Sequence, residues 1–349
     1  MRYLGVDLHT TNFVVCFLSE QGKSRIVTFA LTTEGLAAFR RQLRGDDAIA
    51  VEAGQTTYYF YDQIQDGVKQ VVVVDPHRFA LISRSKKKTD RHDAMLLARF
   101  LKLGWLPTVP LPSLPIRQLR ALLHAREDLV EVATKLKNIG HGALTRNGMT
   151  VEGRAFASVR GRQRLAGMEG LPKGDRQILL VALQQLEAVE QASDTLEQEI
   201  ICQGKDLPGL RRLLQVPGLN LLSGIGLLAE IGDMGWFAHA KQLGAYAGLV
   251  PSVRQSSGYE RRGRITKLGR TRLRTIAIRA VVVMVRKKGT PLVDFYVRKK
   301  REKGAGKALC ATARKLLTII FIMLKKQLDY WYIEERLYNK KLRVLQKAA

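Results

Sequence analysis

Acidic residues occur in this sequence at spacings that would let them share a metal ion. Asp90 and Asp93 lie in Lys-Lys-Lys-Thr-Asp-Arg-His-Asp-Ala, residues 86–94, which leads into the apolar-periodic run 95–103. With Thr89 as N-cap, both acids fall in the first turn of a predicted helix, where residues three apart share a face. Acids in a first turn also stabilise the helix macrodipole, so this pair needs support from other acids.

Two further acids close short apolar runs. Asp7 follows Arg-Tyr-Leu-Gly-Val and Glu52 follows Ala-Ile-Ala-Val, and both runs are predicted strands. Because strand ends are rigid positions at the edge of a sheet, these acids could join Asp90 and Asp93 in holding one or two Mg²⁺ ions through carboxylate oxygens. Two such ions could clamp the attacking and leaving oxygens of a phosphodiester.

The order of predicted elements indicates the fold that carries these acids. Hydrophobic periodicity and turn signals predict strands at 2–7, 12–19, 24–30, 48–52 and 70–75, and helices at 33–43, 56–65 and from Asp90 onward. The order β-β-β-α-β-α-β-α, with acids at the ends of the first and fourth strands and on a later helix, resembles the RNase H-like fold in its RuvC-type form. We therefore expect an α/β domain over residues 1–106.

Charge is the strongest compositional signal. The 349 residues carry a net charge of +27, and residues 251–349 hold 27 Lys and Arg against 6 Asp and Glu. The last hundred residues thus account for +21, which favours a polyanionic partner bound in a salt-sensitive way. A basic membrane-surface segment is the competing explanation, but the charges are spread over several segments without a clean apolar stripe. Nucleic acid is the favoured partner.

Apolar stretches and cysteines indicate the expected location of the protein. The longest apolar stretches are too short to span a bilayer, and the first residues do not form a signal peptide, so no membrane association is expected. The three cysteines are far apart and lack metal-site spacing, which fits a reducing cytoplasm.

A helical middle region is predicted for residues 107–205. Residues 107–114 are rich in proline and are interpreted as a linker. Leucine and other apolar residues then recur at three- and four-residue spacing in two long stretches, which predicts two antiparallel helices. The pattern is compatible with an intramolecular hairpin and with a dimerising coiled coil, and both remain open.

The remaining segment, 206–349, is predicted to be a mostly helical, basic domain. Residues 213–232 resemble a helix-hairpin-helix element, in which a Pro-Gly turn aims backbone N–H groups at a DNA phosphate. Here the turn is Pro217-Gly218. Asn220 stands where a second turn glycine is usual, and we expect it to accept a positive φ.

A second chemical stretch lies further along this domain. Ser256 and Ser257 precede a run of cations, and from Arg261 to Val293 the sequence contains no acid. A serine hydroxyl placed in such a field could attack phosphorus, although Ser-Ser-Gly is also ordinary turn chemistry. The candidate phosphate contacts in this run are Arg261, Arg264, Lys267, Arg270 and Arg274.

Taken together, these motifs resemble the IS110 family of bacterial insertion-sequence transposases over nearly the full chain. The resemblance rests on Gly5-Val6-Asp7, Val51-Glu52-Ala53, Lys88-Thr89-Asp90-Arg91-His92-Asp93-Ala94, Val216-Pro217-Gly218, Ala247-Gly248-Leu249-Val250-Pro251 with Gln255-Ser256, and residues 263–269. It implies a recombinase with a Mg²⁺-binding Asp-Glu-Asp-Asp tetrad in a composite site shared between protomers. It further implies a serine nucleophile linked covalently to DNA, a guide RNA encoded by the element, a homo-oligomer (dimer or tetramer) and a bacterial, nucleoid-associated location.

One departure from the family pattern leaves the nucleophile open. The family usually shows Gln-Ser-Gly, whereas this chain has Gln255-Ser256-Ser257-Gly258. Alignment on Gln255 favours Ser256, and alignment on Gly258 favours Ser257. Two other functions also remain open: a metal-dependent junction nuclease that uses the acids and water, and a nucleic-acid-binding protein without catalysis.

Overall fold

The computed structural model describes residues 1–82, 89–152, 154–256, 259–287 and 289–347. Within them the chain divides into two compact units, 1–111 and 112–349. Unit 1 is a mixed α/β sheet structure, and unit 2 is mostly helical. No helix among the described residues is long and apolar enough to cross a membrane.

Unit 1 is built on a six-stranded sheet in the order β3-β2-β1-β4-β5-β6. Its strands are β1 (Arg2–Leu8), β2 (Asn12–Ser19), β3 (Ser24–Ala30), β4 (Ala48–Glu52), β5 (Gln70–Val74) and β6 (Thr108–Val109). The first three strands form an antiparallel meander, and β4 pairs in parallel with both β1 and β5. Its helices are α1 (Thr33–Arg40), α2 (Thr57–Ile64), α3 (Pro76–Ile82) and α4 (Asp90–Leu103).

The two faces of this sheet carry different cores, as period-2 alternation requires. One face packs on α1 and α2 through a cluster of phenylalanines, Phe13, Phe29, Phe39 and Phe60. The opposite face is covered by α4, whose Ala94, Leu97 and Ala98 lie against small and β-branched strand residues. The predicted elements of unit 1 are confirmed to within three residues at each end. The proline-rich stretch 107–114 was expected to be a linker, but it contains β6, which pairs antiparallel with β5.

Unit 2 begins with two long helices, α5 (Leu114–Thr145) and α7 (Lys173–Gly204), with the short α6 (Val159–Ala166) between them. The ion pairs Arg146–Asp175 and Arg126–Glu197 lie at opposite ends of the pair, so α5 and α7 run antiparallel as predicted. Within one chain they form the intramolecular hairpin.

The rest of unit 2 surrounds one apolar core in which α9 is buried almost throughout. Its helices are α8 (Leu210–Gln215), α9 (Leu221–Ile231), α10 (Ala240–Tyr246), α11 (Thr271–Met284), α12 (Pro291–Lys303), α13 (Ala305–Lys326) and α14 (Glu335–Lys347). A two-stranded hairpin, β7 (Pro251–Ser256) and β8 (Tyr259–Ile265), interrupts them. This hairpin was not predicted, because its Arg- and Ser-rich strands lack an alternating apolar face.

Candidate functional site

The parallel pairing of β1 with β4 sets two predicted acids side by side. Val6 is in register with Val51, so Asp7 and Glu52 are the next residues on adjacent strands. Residues on these strands alternate between faces, and Ala50 packs in the cluster that contains α4 residues. Asp7 and Glu52 therefore both belong to the face of the sheet that α4 covers.

A glycine lets α4 approach β1 closely. A Cβ built on Gly5 would collide with the carbonyl oxygen of Ala94 and the backbone nitrogen of Ala98. The absence of a side chain at position 5 thus brings the helix backbone directly onto the strand. Thr89 caps α4 by accepting a hydrogen bond from the His92 N–H at 3.3 Å, which places Asp90 and Asp93 in the first turn as predicted.

The result is a convergent group of three side chains. His9, just beyond the end of β1, has Nε2 at 3.4 Å from Asp7 Oδ2 and 3.3 Å from Asp90 Oδ2. One ligand atom from each of Asp7, His9 and Asp90 lies within 4.8 Å of the others. Among the described residues, these three form the group of His, Cys, Asp and Glu side chains whose ligand atoms lie close enough together to bind one metal ion.

The charges around this group indicate that a bound cation would stabilise its carboxylates. Burial raises the pKa of Asp7, the charges of Asp90 and Asp93 raise it further, and His9 opposes the shift. The Asp7 side chain is only 18% exposed, so its repulsion by neighbouring carboxylates is weakly screened. Two carboxylates and an imidazole fit a divalent ion, since carboxylate suits Mg²⁺ or Mn²⁺ and imidazole suits transition metals.

The predicted tetrad and the observed group overlap without being identical. Asp7 and Asp90 are in both. Asp93 is near enough for its charge to act on Asp7, and Glu52 is adjacent to Asp7 in register, but neither is in the three-member group. His9 was missed by the sequence analysis. The signal for it was Asp-Leu-His, because residues i and i+2 of an extended segment point to one side.

The serine stretch lies in unit 2, at the end of a strand. Ser256 is the last residue of β7 and pairs with Tyr259 of β8. Ser257, the alternative nucleophile, lies outside the described residues. The serine is thus carried by the hairpin.

The cations predicted to contact phosphate divide into two groups. Arg261 and Arg264 lie on β8, and Lys267 follows it with φ 55°. Arg264 and Lys267 are exposed and remain available to a ligand. Arg270 and Arg274 instead contact other groups of the protein.

Arg274 is buried and braces the base of the hairpin. Its Nη1 donates to the carbonyl oxygens of Ala247 at 2.9 Å and Lys267 at 3.2 Å, and its Nη2 donates to Thr271 Oγ1 at 3.1 Å. Ala247 precedes the hairpin and Lys267 follows it, so one guanidinium ties both ends. This placement differs from its predicted role as a phosphate contact, because the side chain is buried and donates to three oxygens of the protein.

Arg270 pairs with a buried glutamate that the sequence analysis did not single out. Its Nε lies 3.3 Å from Oε2 of Glu230 on α9, whose Oε1 is 3.0 Å from His124 Nε2 on α5. Burial acts to raise the pKa of Glu230, but the His124 hydrogen bond and the charges of Arg270 and Arg120 outweigh it and hold the pKa below its ordinary value. The Arg270 side chain is still 33% exposed, so its role as a phosphate contact stays a prediction. A lone acid in the apolar run Leu-Leu-Ala-Glu-Ile was the available signal.

The helix-hairpin-helix element is present in outline as α8, a Pro217-Gly218 turn and α9. Gly218 has φ 87°, and a Cβ there would collide with the carbonyl oxygen of Ala280. The expectation for Asn220 was wrong. Its φ is −103°, and it acts as the N-cap of α9 in a reciprocal capping box with Ser223.

Comparisons with known proteins cover both units. A DEDD-type IS110 transposase family model matches residues 4–147, and the model described as "Transposase IS116/IS110/IS902 family" matches residues 210–297. The transposase for insertion sequence element IS1111A of Coxiella burnetii is 25% identical over 335 residues, 95% of this chain and 91% of that protein. The pilin gene-inverting protein of Moraxella bovis is 24% identical over 340 residues, 93% and 96% of the two chains. A probable family 20 transposase of Pseudomonas aeruginosa is 27% identical over 241 residues, 68% and 71%.

An acidic cluster on a mixed sheet, a basic helical unit and these matches define a DNA transposase whose DEDD domain points to a divalent metal. The two family models and the IS1111A relative support an IS110-family transposase.

Proposed function

We propose that this protein excises and inserts its own insertion sequence by metal-dependent, serine-mediated cleavage and rejoining of DNA. The observation that carries the proposal is the convergence of Asp7, His9 and Asp90 within 4.8 Å, beside Glu52 and Asp93. The sheet order β3-β2-β1-β4-β5 and the helix that brings acids to β1 support an RNase H-like, RuvC-type assignment for unit 1. We also propose three functional segments: an RNase H-like catalytic domain (1–106), a linker and helical region (107–205) and a basic transposase domain (206–349).

Mg²⁺ is the proposed metal, and Asp7, Glu52, Asp90 and Asp93 are its proposed ligands. When bound, the cation would neutralise charge that develops on the phosphodiester. The positions of these carboxylates support the assignment, since Asp7 and Glu52 are neighbours in the β1–β4 register and Asp90 and Asp93 lie in the capped first turn of α4.

His9 is proposed as an additional ligand on the strength of its distances to Asp7 and Asp90. His9→Ala should weaken binding of Mn²⁺, titrated calorimetrically in the absence of DNA, by roughly tenfold or more, as loss of groups in and around metal sites does. His77→Ala, an exposed histidine of unit 1, is the matched control. Equal Mn²⁺ affinity in both variants would remove His9 from the ligand set.

Ser256 is the proposed nucleophile. Its Oγ would form a bond to phosphorus while the bond from phosphorus to the leaving strand's deoxyribose oxygen breaks, and the serine proton would end on that oxygen. The phosphodiester is exchanged for a phosphoserine ester, so its energy is kept for rejoining. Exposed Arg264 and Lys267, with Arg261 on the same strand as Arg264 and the partly exposed Arg270, are the proposed phosphate contacts.

Two partners are proposed from the family resemblance. One is a guide RNA transcribed from the element, and the other is a further copy of the chain in a dimer or tetramer. The strongly basic unit 2 is compatible with binding both RNA and DNA, because phosphate contacts carry most nucleic-acid affinity.

The serine mechanism is tested by trapping the covalent intermediate. After incubation with a nicked element-end substrate, a denaturing gel should show a DNA-linked protein band. Ser256→Ala should abolish it and Ser257→Ala should spare it. A band lost only in Ser257→Ala would move the nucleophile by one residue. Cleavage at the native rate by both single variants and by the double variant would replace the serine mechanism with a water-using nuclease.

A further inference from the structure

An aromatic patch lies on the surface of unit 2, between α13 and α14. In the segment 328–333, here the aromatic segment, Trp331 is 59% exposed and Tyr332 is 44% exposed, with exposed Leu328 and Ile333 beside them. Contiguous exposed aromatic surface of this kind marks a binding surface more often than an isolated exposed residue does. None of the functions above uses it.

The base of the patch is buried and hydrogen-bonded. Tyr330 is 1% exposed, its backbone N–H donates to Gln215 Oε1 at 2.8 Å, and Gln215 Nε2 donates to Asp329 Oδ1 at 3.0 Å. Trp331 stacks on Tyr330 with ring centroids 5.4 Å apart and an interplanar angle of 22°. This stacking restricts the orientations of the indole, so binding of a partner to it costs the protein less side-chain entropy.

The aromatic segment is attached to the helix that leads into the Pro217-Gly218 turn. Gln215, its anchor, ends α8, and Lys341 of α14 donates to the carbonyl oxygens of Leu214 at 2.6 Å and Val216 at 3.0 Å. The aromatic segment thus adjoins the predicted helix-hairpin-helix element.

Charge selects the class of partner. Residues 305–347 carry ten Lys and Arg against three Asp and Glu. Two of those acids are engaged, Asp329 with Gln215 and Arg212, and Glu334 with Lys287 at 2.6 Å. The two helices that flank the aromatic segment are thus strongly basic, although Lys341 is directed to backbone carbonyls, and this charge favours a polyanionic partner. A second copy placed over the patch by a two-fold axis would bring the same basic helices against each other, which opposes pairing.

We propose that the aromatic segment binds a single strand of DNA by stacking unpaired bases on Trp331 and Tyr332, with its phosphates toward Lys325 and Lys326 at the end of α13. Bases within a duplex present their faces only to each other, whereas a strand released by cleavage offers them to a protein ring. This inference rests on the proposed action on DNA strands, and it assigns a place for the strand that leaves the duplex.

The test measures binding of a 15-nucleotide oligo-dT to the full-length protein by anisotropy. Trp331→Ala should weaken binding about tenfold or more, Trp331→Phe should retain most of it, and a 15-base-pair duplex should bind all variants alike. Trp105→Ala is the matched control, because Trp105 is 66% exposed and belongs to unit 1. A 5-bromodeoxyuridine oligonucleotide should photocrosslink to the peptide that contains Trp331.

Several outcomes would overturn the proposal. These are oligo-dT affinity unchanged in Trp331→Ala, a crosslink that maps elsewhere, tighter binding of oligo-rU than of oligo-dT, and a protein whose self-association depends on Trp331. If Trp331→Ala fails to fold, the Trp331→Phe affinity and the crosslink position still decide it. The Ser256 adduct assay is independent of all these readings, so failure of the proposed recombinase mechanism is seen separately.

Discussion

The acidic edge of unit 1 and the basic hairpin region of unit 2 were both predicted from charged residues, and the structure treats them differently. In unit 1, Asp7, Glu52, Asp90 and Asp93 all come to one face of one sheet. In unit 2, Arg274 turns inward and braces the hairpin, and Arg270 pairs with the buried Glu230 while its side chain stays partly exposed. Acids placed by strand ends and helix caps follow from local pattern, whereas the role of an arginine in a helical domain depends on what packs against it.

The largest effect on DNA cleavage is expected at Asp7. Asp7→Asn keeps the shape of the side chain and removes its charge, so strand cleavage should fall by about a thousandfold or more, since ligand loss removes transition-state charge stabilisation worth several kcal/mol. The rate is measured on element-end DNA under single-turnover conditions. Asp66→Asn, an exposed acid of the same unit, should cleave normally. Cleavage by Asp7→Asn at the native rate would refute the acidic site.

Close packing of α4 on β1 gives the next effect. Gly5→Ala should destabilise the protein by about 1–3 kcal/mol or more and reduce cleavage, because the new methyl group collides with the backbone of α4 and displaces Asp90 from Asp7. Chemical denaturation measures the stability. Gly45→Ala, where a Cβ meets nothing within 4 Å, is the control. Equal stability of the two variants would show that α4 does not depend on this contact.

The two classes of arginine are separated by a paired substitution. Arg274→Met should lower the free energy of unfolding by about 1.5–3 kcal/mol, because buried carbonyl groups lose a charged donor. The slope of log K for DNA binding against log [salt] should not change. Arg264→Met should leave stability within about 0.5 kcal/mol but flatten the log K against log [salt] slope by about 0.9. If the two variants behave in the opposite sense, the assignment of inward and outward arginines is wrong.

The smallest effect concerns Lys341, a partly buried cation of α14. Burial, helped by the charge of Lys287 and opposed by Glu334, lowers the pKa of Lys341 to about 8 from an ordinary value of 10.5. Between these two values the unfolded chain keeps a proton that the folded protein has lost, so the stability contributed at Lys341 rises with pH from about 8 to 10.5 and is least below pH 8.

Lys341→Met removes that titration. The difference in unfolding free energy between wild type and Lys341→Met should therefore shift in favour of wild type between pH 7 and pH 9.5. Lys340→Met, an exposed neighbour, should leave the pH dependence of wild type intact. A wild-type-minus-Lys341→Met difference that stays constant with pH would show that Lys341 titrates normally in the folded protein.

Local sequence was sufficient for most of unit 1. Alternating apolar residues and turn signals defined its main strands. Thr89 was identifiable as the N-cap of α4, because a threonine before an apolar-periodic run can accept a hydrogen bond from a backbone N–H of the first helical turn. The same local rules predicted the antiparallel pair α5 and α7. Asp7, Glu52, Asp90 and Asp93 were identifiable as candidates because each stands at a strand end or in a first turn.

Tertiary structure decided what local pattern leaves open. His9 joins Asp7 and Asp90 because Gly5 lets α4 lie on β1, a contact between residues some ninety positions apart that periodicity does not encode. Arg274 faces inward because Ala247 and Lys267 present their carbonyl groups to it, and the hairpin strands exist because β7 and β8 pair with each other. The sequence by itself determined the elements and the charges they carry. Which charges meet a ligand and which meet the protein was settled by packing, because burial makes an unpaired polar group costly wherever it occurs.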